Sequence, residues 1–184
     1  MREIALHILD ICQNSITAKA TRITIKLAVD EAADTLSIEI TDNGCGMKKE
    51  MLQNVSSPFI TTRTSRKVGL GISLLKAGCE ATGGSLHMES EEGKGTKLTA
   101  HYALSHIDRP PVGQLPETVH MLIVANPDLD FRFMVVYNHA MFELDTAELR
   151  NTLQGVPLDN GEVSGWILEY LQDGFKTNFG GKHI

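Results

Sequence analysis

Asp42-Asn43-Gly44-Cys45-Gly46-Met47 is the stretch on which the reading of this chain turns. Ahead of it, Leu36, Ile38 and Ile40 alternate with Ser37 and Glu39, the period-two pattern of a half-buried strand. The aspartate therefore ends a strand, and two glycines carry the chain away from it. A carboxylate so placed can accept a hydrogen bond from an exocyclic amine, while Gly44 and Gly46 let a flat ring come close to the backbone. Adenine offers such an amine; guanine presents a carbonyl oxygen at the equivalent edge, which a carboxylate repels. Taken alone, the stretch also fits an ordinary strand-to-helix turn.

Upstream, Ile4, Leu6, Ile8, Ile11, Cys12, Ser15 and Ile16 recur at spacings that predict one helix over residues 2–20 with a single buried stripe. Asp10 and Asn14 lie four apart on it and share a face. Asn14 offers a neutral oxygen suited to Mg²⁺, and Asp10 could orient or deprotonate a water or hydroxyl. An isolated pair of this kind also fits a solvated helix face. Ile23, Ile25 and Leu27 predict a strand that forms a hairpin with the one ending at Asp42.

Downstream, a short helix over residues 48–55 precedes a polar stretch, 56–67, long enough to be functional or disordered. Gly69-Leu70-Gly71 then opens a helix running to about Thr82. Amide N–H groups and the positive end of the helix dipole make its start a ready anion site, and Lys67 adds charge. Tight packing of a helix start against a sheet would use the same glycines. Two further strands are expected over 85–90 and 96–104, joined through Gly93-Lys94-Gly95-Thr96.

Other nucleotide motifs are missing. No GxxxxGK[ST] occurs, and Gly44-Cys45-Gly46 has Lys49 where a dinucleotide fingerprint needs its third glycine. The chain has 184 residues with 42% hydrophobic content, enough for a core without disulfides. Its 17 basic against 23 acidic residues leave a net charge of −6, which argues against general binding to nucleic acid or membrane surfaces. Three cysteines without CxxC spacing indicate neither a zinc site nor a disulfide framework, and no apolar run reaches the ~20 residues of a membrane span. A cytoplasmic protein is expected. Cys45 reads as a small packing residue inside the turn.

Composition changes over residues 105–115, where Asp108-Arg109-Pro110-Pro111 marks an expected linker. It divides a domain over 1–104 from an α+β extension over 116–184. In that extension a helix is expected from Pro116, with a strand over 119–125 as the competing reading. A strand pair over 131–137 and 141–144 and helices from Thr146 and over 161–171 follow. Trp166 and Tyr170, four apart on the last helix, read as core.

The features in their order are Asp10 and Asn14; Asp42 to Gly46; Pro58-Phe59 with Thr61-Thr62-Arg63; Gly69-Leu70-Gly71; and Gly93 to Thr96. In that order they resemble the boxes of the GHKL ATPase superfamily, with the catalytic domains of sensor histidine kinases and the anti-sigma-factor serine kinases most similar. The resemblance covers roughly residues 1–104. It implies a two-layer α/β sandwich of α+β class, the Bergerat fold, binding ATP with Mg²⁺. It implies that Asp42 binds adenine, that Asn14 holds the metal, and that Gly44, Gly46, Phe59, Lys67, Gly69, Leu70, Gly71 and Thr96 contact the nucleotide. Asp10 stands where hydrolysing members carry glutamate, and Lys67 replaces the first glycine often found in its box. As given, the sequence leaves no room ahead of these boxes for a phosphoacceptor hairpin, and His7 lies within the first helix and reads as a structural or solvent histidine. The function expected is therefore phosphotransfer to a separate protein partner. The alternative is a nucleotide-gated binding module with slow or no hydrolysis. No nucleic-acid or membrane partner is expected; the extension is expected to dock a partner or a second copy.

Overall fold

The computed structural model describes residues 3–55 and 70–179. Twelve elements follow one another: α1 (Ile4–Thr17), β1 (Arg22–Asp30), β2 (Thr35–Asp42), α2 (Lys49–Val55), α3 (Leu70–Ala81), β3 (Ser85–Glu91), β4 (Gly95–Ala103), α4 (Leu115–Ala125), β5 (Asp130–Tyr137), β6 (Ala140–Asp145), α5 (Thr146–Leu153) and α6 (Gly161–Phe179). The strands form one sheet in the order β3-β4-β2-β1-β5-β6. Every neighbouring pair is antiparallel except β1 with β5.

The alternation read from the sequence places most large apolar strand side chains on one face; Met134, Val136 and Met141 lie on the other. In register, Met88, Leu98, Ile40, Ile25, Phe133 and Leu144 make a single row across all six strands. A second row runs Leu86, Ala100, Ile38, Leu27, Val135 and Phe142. Ile4, Ile8, Ile11 and Cys12 of α1 join the same core, with Ile72, Leu75 and Cys79 of α3 and Val119, Leu122 and Ile123 of α4. Two layers result, with the apolar face of the sheet turned to the helices, as an amphipathic sheet requires. This is the mixed two-layer arrangement expected from the sequence.

The boundary that composition suggests does not divide the core. β5 and β6 extend the same sheet, and their apolar residues belong to the same cluster as those of β1 and β2. Residues 105–115 are tied to the body as well: the carbonyls of Pro111 and Val112 accept from the amides of Ile4 and Ala5, each at 2.9 Å. Those amides open α1 and have no partner within it, so the segment completes the helix start. Val112 itself is buried. Over 115–125 the chain is helical, with a proline in its first turn. The last helix runs on to Phe179, beyond the expected 161–171.

Candidate nucleotide site

Asp42 closes β2, with its side chain on the helix-covered face in the row that runs Ser90, Thr96, Asp42, Ile23 and Phe131. Its carboxylate is held from both sides. Ser15 Oγ of α1 donates to Oδ2 at 2.6 Å, and the Gly44 amide donates to Oδ1 at 2.8 Å. Each carboxylate oxygen has two acceptor positions, so both keep capacity toward a further donor. Beneath it Cys12 is fully buried; burial pushes its thiol pKa up, and the nearby Asp42 carboxylate adds to the shift.

The turn after Asp42 is fixed by backbone contacts. The Cys45 amide donates to the Ala18 carbonyl at 2.9 Å, and the Cys45 carbonyl accepts from the Gly93 amide at 2.8 Å. Asn43 Oδ1 accepts from the amides of Thr21 and Arg22, tying the turn to the start of β1. Gly46 has φ +62°, and a Cβ there would fall 2.0 Å from the Glu91 carbonyl, so no side chain fits. A Cβ on Gly44 would come within 2.9 Å of the Ala18 carbonyl. Cys45 is exposed, so the expectation of a packing residue is corrected: its backbone holds the turn while its thiol faces solvent.

Thr96 stands opposite Asp42 in the β2–β4 register, and its Oγ1 lies 2.9 Å from Ser90 Oγ. Ser90 in turn donates to the Gly95 carbonyl and accepts from the Met47 amide. Strand ends and turn are thereby joined through one hydroxyl pair.

Asp10 and Asn14 both lie half-buried on α1, one turn apart, as the spacing predicts. Asn14 precedes Ser15, so the metal candidate adjoins the residue that holds Asp42. Among the described residues its side chain makes no hydrogen bond, which leaves its carbonyl oxygen without a partner there. Gly71, in the first turn of α3, meets Asp10 directly: a Cβ there would fall 1.6 Å from Asp10 Oδ2. His7, one turn before Asp10, is buried, with Nδ1 lacking a partner among the described residues. Burial holds its pKa below the ordinary histidine value, against the raising influence of Asp10 and the Gly71 backbone.

Asp42, Gly44, Gly46 and Thr96 thus gather at one end of the sheet, and Asp10 meets Gly71 further along the same helix. Phe59, Lys67, Gly69 and the polar stretch around them lie outside the described residues, as does the Leu70 side chain. Sequence reasoning missed Ser15 and Ser90 as site residues. Ser15 was legible only as part of the buried stripe; a serine on that otherwise apolar stripe, adjacent to Asn14, was the available signal, and it is 3% exposed in the structure. The arrangement fits an adenine nucleotide: an acceptor with spare capacity, a glycine turn packed tightly against the Ala18 and Glu91 backbone beside it, and a helix with Gly71 in its first turn beyond. Among the described residues no group of three acidic, histidine or cysteine side chains could hold a metal unaided. Mg²⁺, which usually keeps waters and phosphate oxygens as ligands, fits a site offering Asn14 alone.

Residues 2–106 match the family model for the histidine kinase-, DNA gyrase B- and HSP90-like ATPases. The match spans more than half of the chain, which belongs to this family; these residues are an ATP-binding domain of the GHKL class. Among curated proteins, the chain is 36% identical over 95 residues to Sporulation kinase D of Bacillus subtilis, a match covering 50% of this chain and 18% of that protein. It is 27% identical over 106 residues to sensor histidine kinase ZraS of Escherichia coli K12, covering 58% of this chain and 23% of that one. The chain therefore spans less than a quarter of the length of these relatives. Among solved structures, the N-terminal domain of a DNA repair protein aligns with a TM-score of 0.54 at 16% identity, over 79% of this chain and 53% of that one. That likeness concerns fold alone, and it reaches beyond the residues of the family match into the C-terminal strands or helices. No described helix is long and apolar enough to cross a membrane.

Proposed function

We propose that this chain binds ATP with Mg²⁺ and transfers the γ-phosphoryl group to a separate protein partner in the cytoplasm. The observation that carries the reading is the Asp42 carboxylate, gripped by Ser15 and Gly44 with acceptor capacity left over. In this reading it accepts from the adenine amine, while Gly44 and Gly46 keep the turn beside it tight against the Ala18 and Glu91 backbone. Thr96 supports the same pocket. Gly71 and the start of α3, with Gly69, Leu70, Lys67 and Phe59 of the sequence pattern, receive the phosphates. Mg²⁺, held through Asn14, neutralises charge on the phosphates when bound. Asp10 orients the acceptor hydroxyl or imidazole of the partner. Similarity to kinases supports transfer. Burial of His7 argues that the helix carrying Asp10 does not present its own phosphoacceptor.

A second reading, a nucleotide-gated binding module with little or no turnover, is favoured by Asp10 itself. Its carboxylate is a methylene shorter than glutamate and lies against Gly71, where reach toward a water is limited.

Calorimetry with ATP and Mg²⁺ tests the shared foundation. Asp42→Asn replaces half of the acceptor with a donor and should weaken ATP by about 2 kcal/mol, roughly thirtyfold. Equal affinity in the variant and the parent chain would remove the adenine assignment. Incubation with γ-labelled ATP then separates the two readings. Label passing to a partner protein and lost in Asp10→Asn supports transfer; nucleotide-dependent association without label or free phosphate supports the module.

A further inference from the structure

Trp166 and Tyr170, expected in the core, are 47% and 39% exposed on α6. Their rings stack with centroids 5.1 Å apart and planes 15° from parallel. Tyr170 is anchored in turn: its ring lies 5.1 Å from that of Phe142, and its hydroxyl reaches the Glu143 carbonyl of β6. An aromatic ladder thus runs outward from the core and ends on an indole held in place, with its ordering cost already met within the fold.

The same helix face is acidic. At 100° per residue, Glu162, Trp166, Glu169, Tyr170 and Asp173 fall within about 100° of arc, and all five are exposed. From residue 151 to 175 the chain carries Asp159, Glu162, Glu169 and Asp173 and no lysine, arginine or histidine; the exposed Lys176 follows on the same face, three residues after Asp173. Gly165 precedes the tryptophan inside the helix, where a Cβ would meet nothing within 4 Å. Glycine there weakens the helix, and no contact among the described residues calls for it.

We propose that this face of α6 docks a basic segment of a partner protein, with an arginine laid over the Trp166–Tyr170 stack and its charge met by Glu162, Glu169 and Asp173. A guanidinium stacks on an indole and pairs with carboxylates at once, which neither an acidic nor a purely apolar segment can do. Tryptophan and tyrosine are the residues that most often dominate such interfaces. The bare backbone at Gly165 lets the partner chain come close beside the indole. The inference is independent of the nucleotide reading, since α6 supplies no residue to that site.

Trp166 is the sole tryptophan of the chain, so its emission reports on this face directly. The full chain is titrated with a synthetic amphipathic peptide bearing arginine and leucine at helical spacing, and with the same peptide carrying glutamate for arginine. A saturable change in Trp166 emission is expected with the arginine peptide alone, weakening roughly tenfold as ionic strength rises from dilute buffer to about 0.5 M. Labelled-peptide anisotropy should show a loss of tenfold or more for Trp166→Ala and for the pair Glu169→Lys with Asp173→Lys, at unchanged helix content. Equal binding of the acidic peptide, no response to either peptide, or retention of affinity in the charge-reversed chain overturns the proposal. So does an emission change that follows the chain's own concentration while sedimentation gives a doubled mass, which would assign the face to a second copy.

Discussion

Asp42 shows how a single side chain is prepared for a ligand by its neighbours. An exposed carboxylate at a strand end samples several rotamers; here Ser15 and the Gly44 amide leave it one. Replacing Ser15 with alanine removes a hydrogen bond to a charged group, worth about 1.5–3 kcal/mol in general, although solvent reaching the half-buried Asp42 recovers part of it. Ser15→Ala should therefore weaken ATP by roughly tenfold in calorimetry, with the helical circular dichroism unchanged. An unaltered affinity would show that Asp42 keeps its orientation without the hydroxyl.

His7 makes a prediction of a different kind. Its pKa is lower in the folded chain than the ordinary value of 6.5, because burial disfavours the charged ring. Its contribution is therefore complete above pH 6.5, where the ring is neutral in both states. As pH falls below 6.5 the unfolded chain takes up the proton first and stability declines, levelling off below the folded pKa. Urea unfolding between pH 7.5 and 5 should show this decline, and His7→Leu should flatten it. A slope that survives the substitution assigns the effect to other groups.

Among the elements, α6 combines a buried stripe of Ile167, Leu171 and Phe179 with an exposed acidic and aromatic face. Among the described residues, nothing gives its interior Gly165 a steric reason to be glycine. Gly165→Ala should stabilise the fold by about 0.8–1 kcal/mol, a rise in Tm of roughly 2–4 °C. Unchanged or lower thermal stability would mean that the helix is distorted there. α1 has the opposite character. It is constrained on several sides at once, by Pro111 and Val112 at its start, Gly71 beside Asp10, and Asp42 against Ser15. A helix so fixed can hold a nucleotide and respond to changes at α3.

For the whole molecule, the question is whether residues 116–184 stand apart from the nucleotide domain. Phe133 lies in register with Ile25, and β5 runs parallel beside β1 along its full length. The Arg22 guanidinium of β1 pairs with Asp145, which caps α5 by accepting from the Ala147 amide. A sheet and core shared in this way unfold together. Thermal unfolding followed by Trp166 emission, on the C-terminal helix, and by far-ultraviolet circular dichroism should give one coincident transition. Two separated transitions would restore the division at residues 105–115. Phe133→Ala, at the centre of the shared core, should lower stability by about 3–5 kcal/mol and move both signals together.

Local patterning determined much by itself: the alternation of Ile23, Ile25 and Leu27 and of Leu36, Ile38 and Ile40, the helical spacing from Ile4 to Ile16, and the glycines at 44, 46 and 71. These are legible because strand and helix periods are set by backbone geometry within a few residues, and because a glycine that no side chain can replace leaves a mark in the sequence. The ordered boxes identified the family on the same basis. Three things were decided only in the tertiary structure. The parallel pairing of β1 with β5 joins residues more than a hundred positions apart, and no short-range pattern encodes it. The grip of Ser15 on Asp42 depends on how α1 lies across the sheet. The exposure of Trp166 and Tyr170 depends on which side of α6 is covered by α4 and β6; two aromatic residues four apart define a helix stripe, but only its packed neighbours decide whether that stripe faces the core or the solvent.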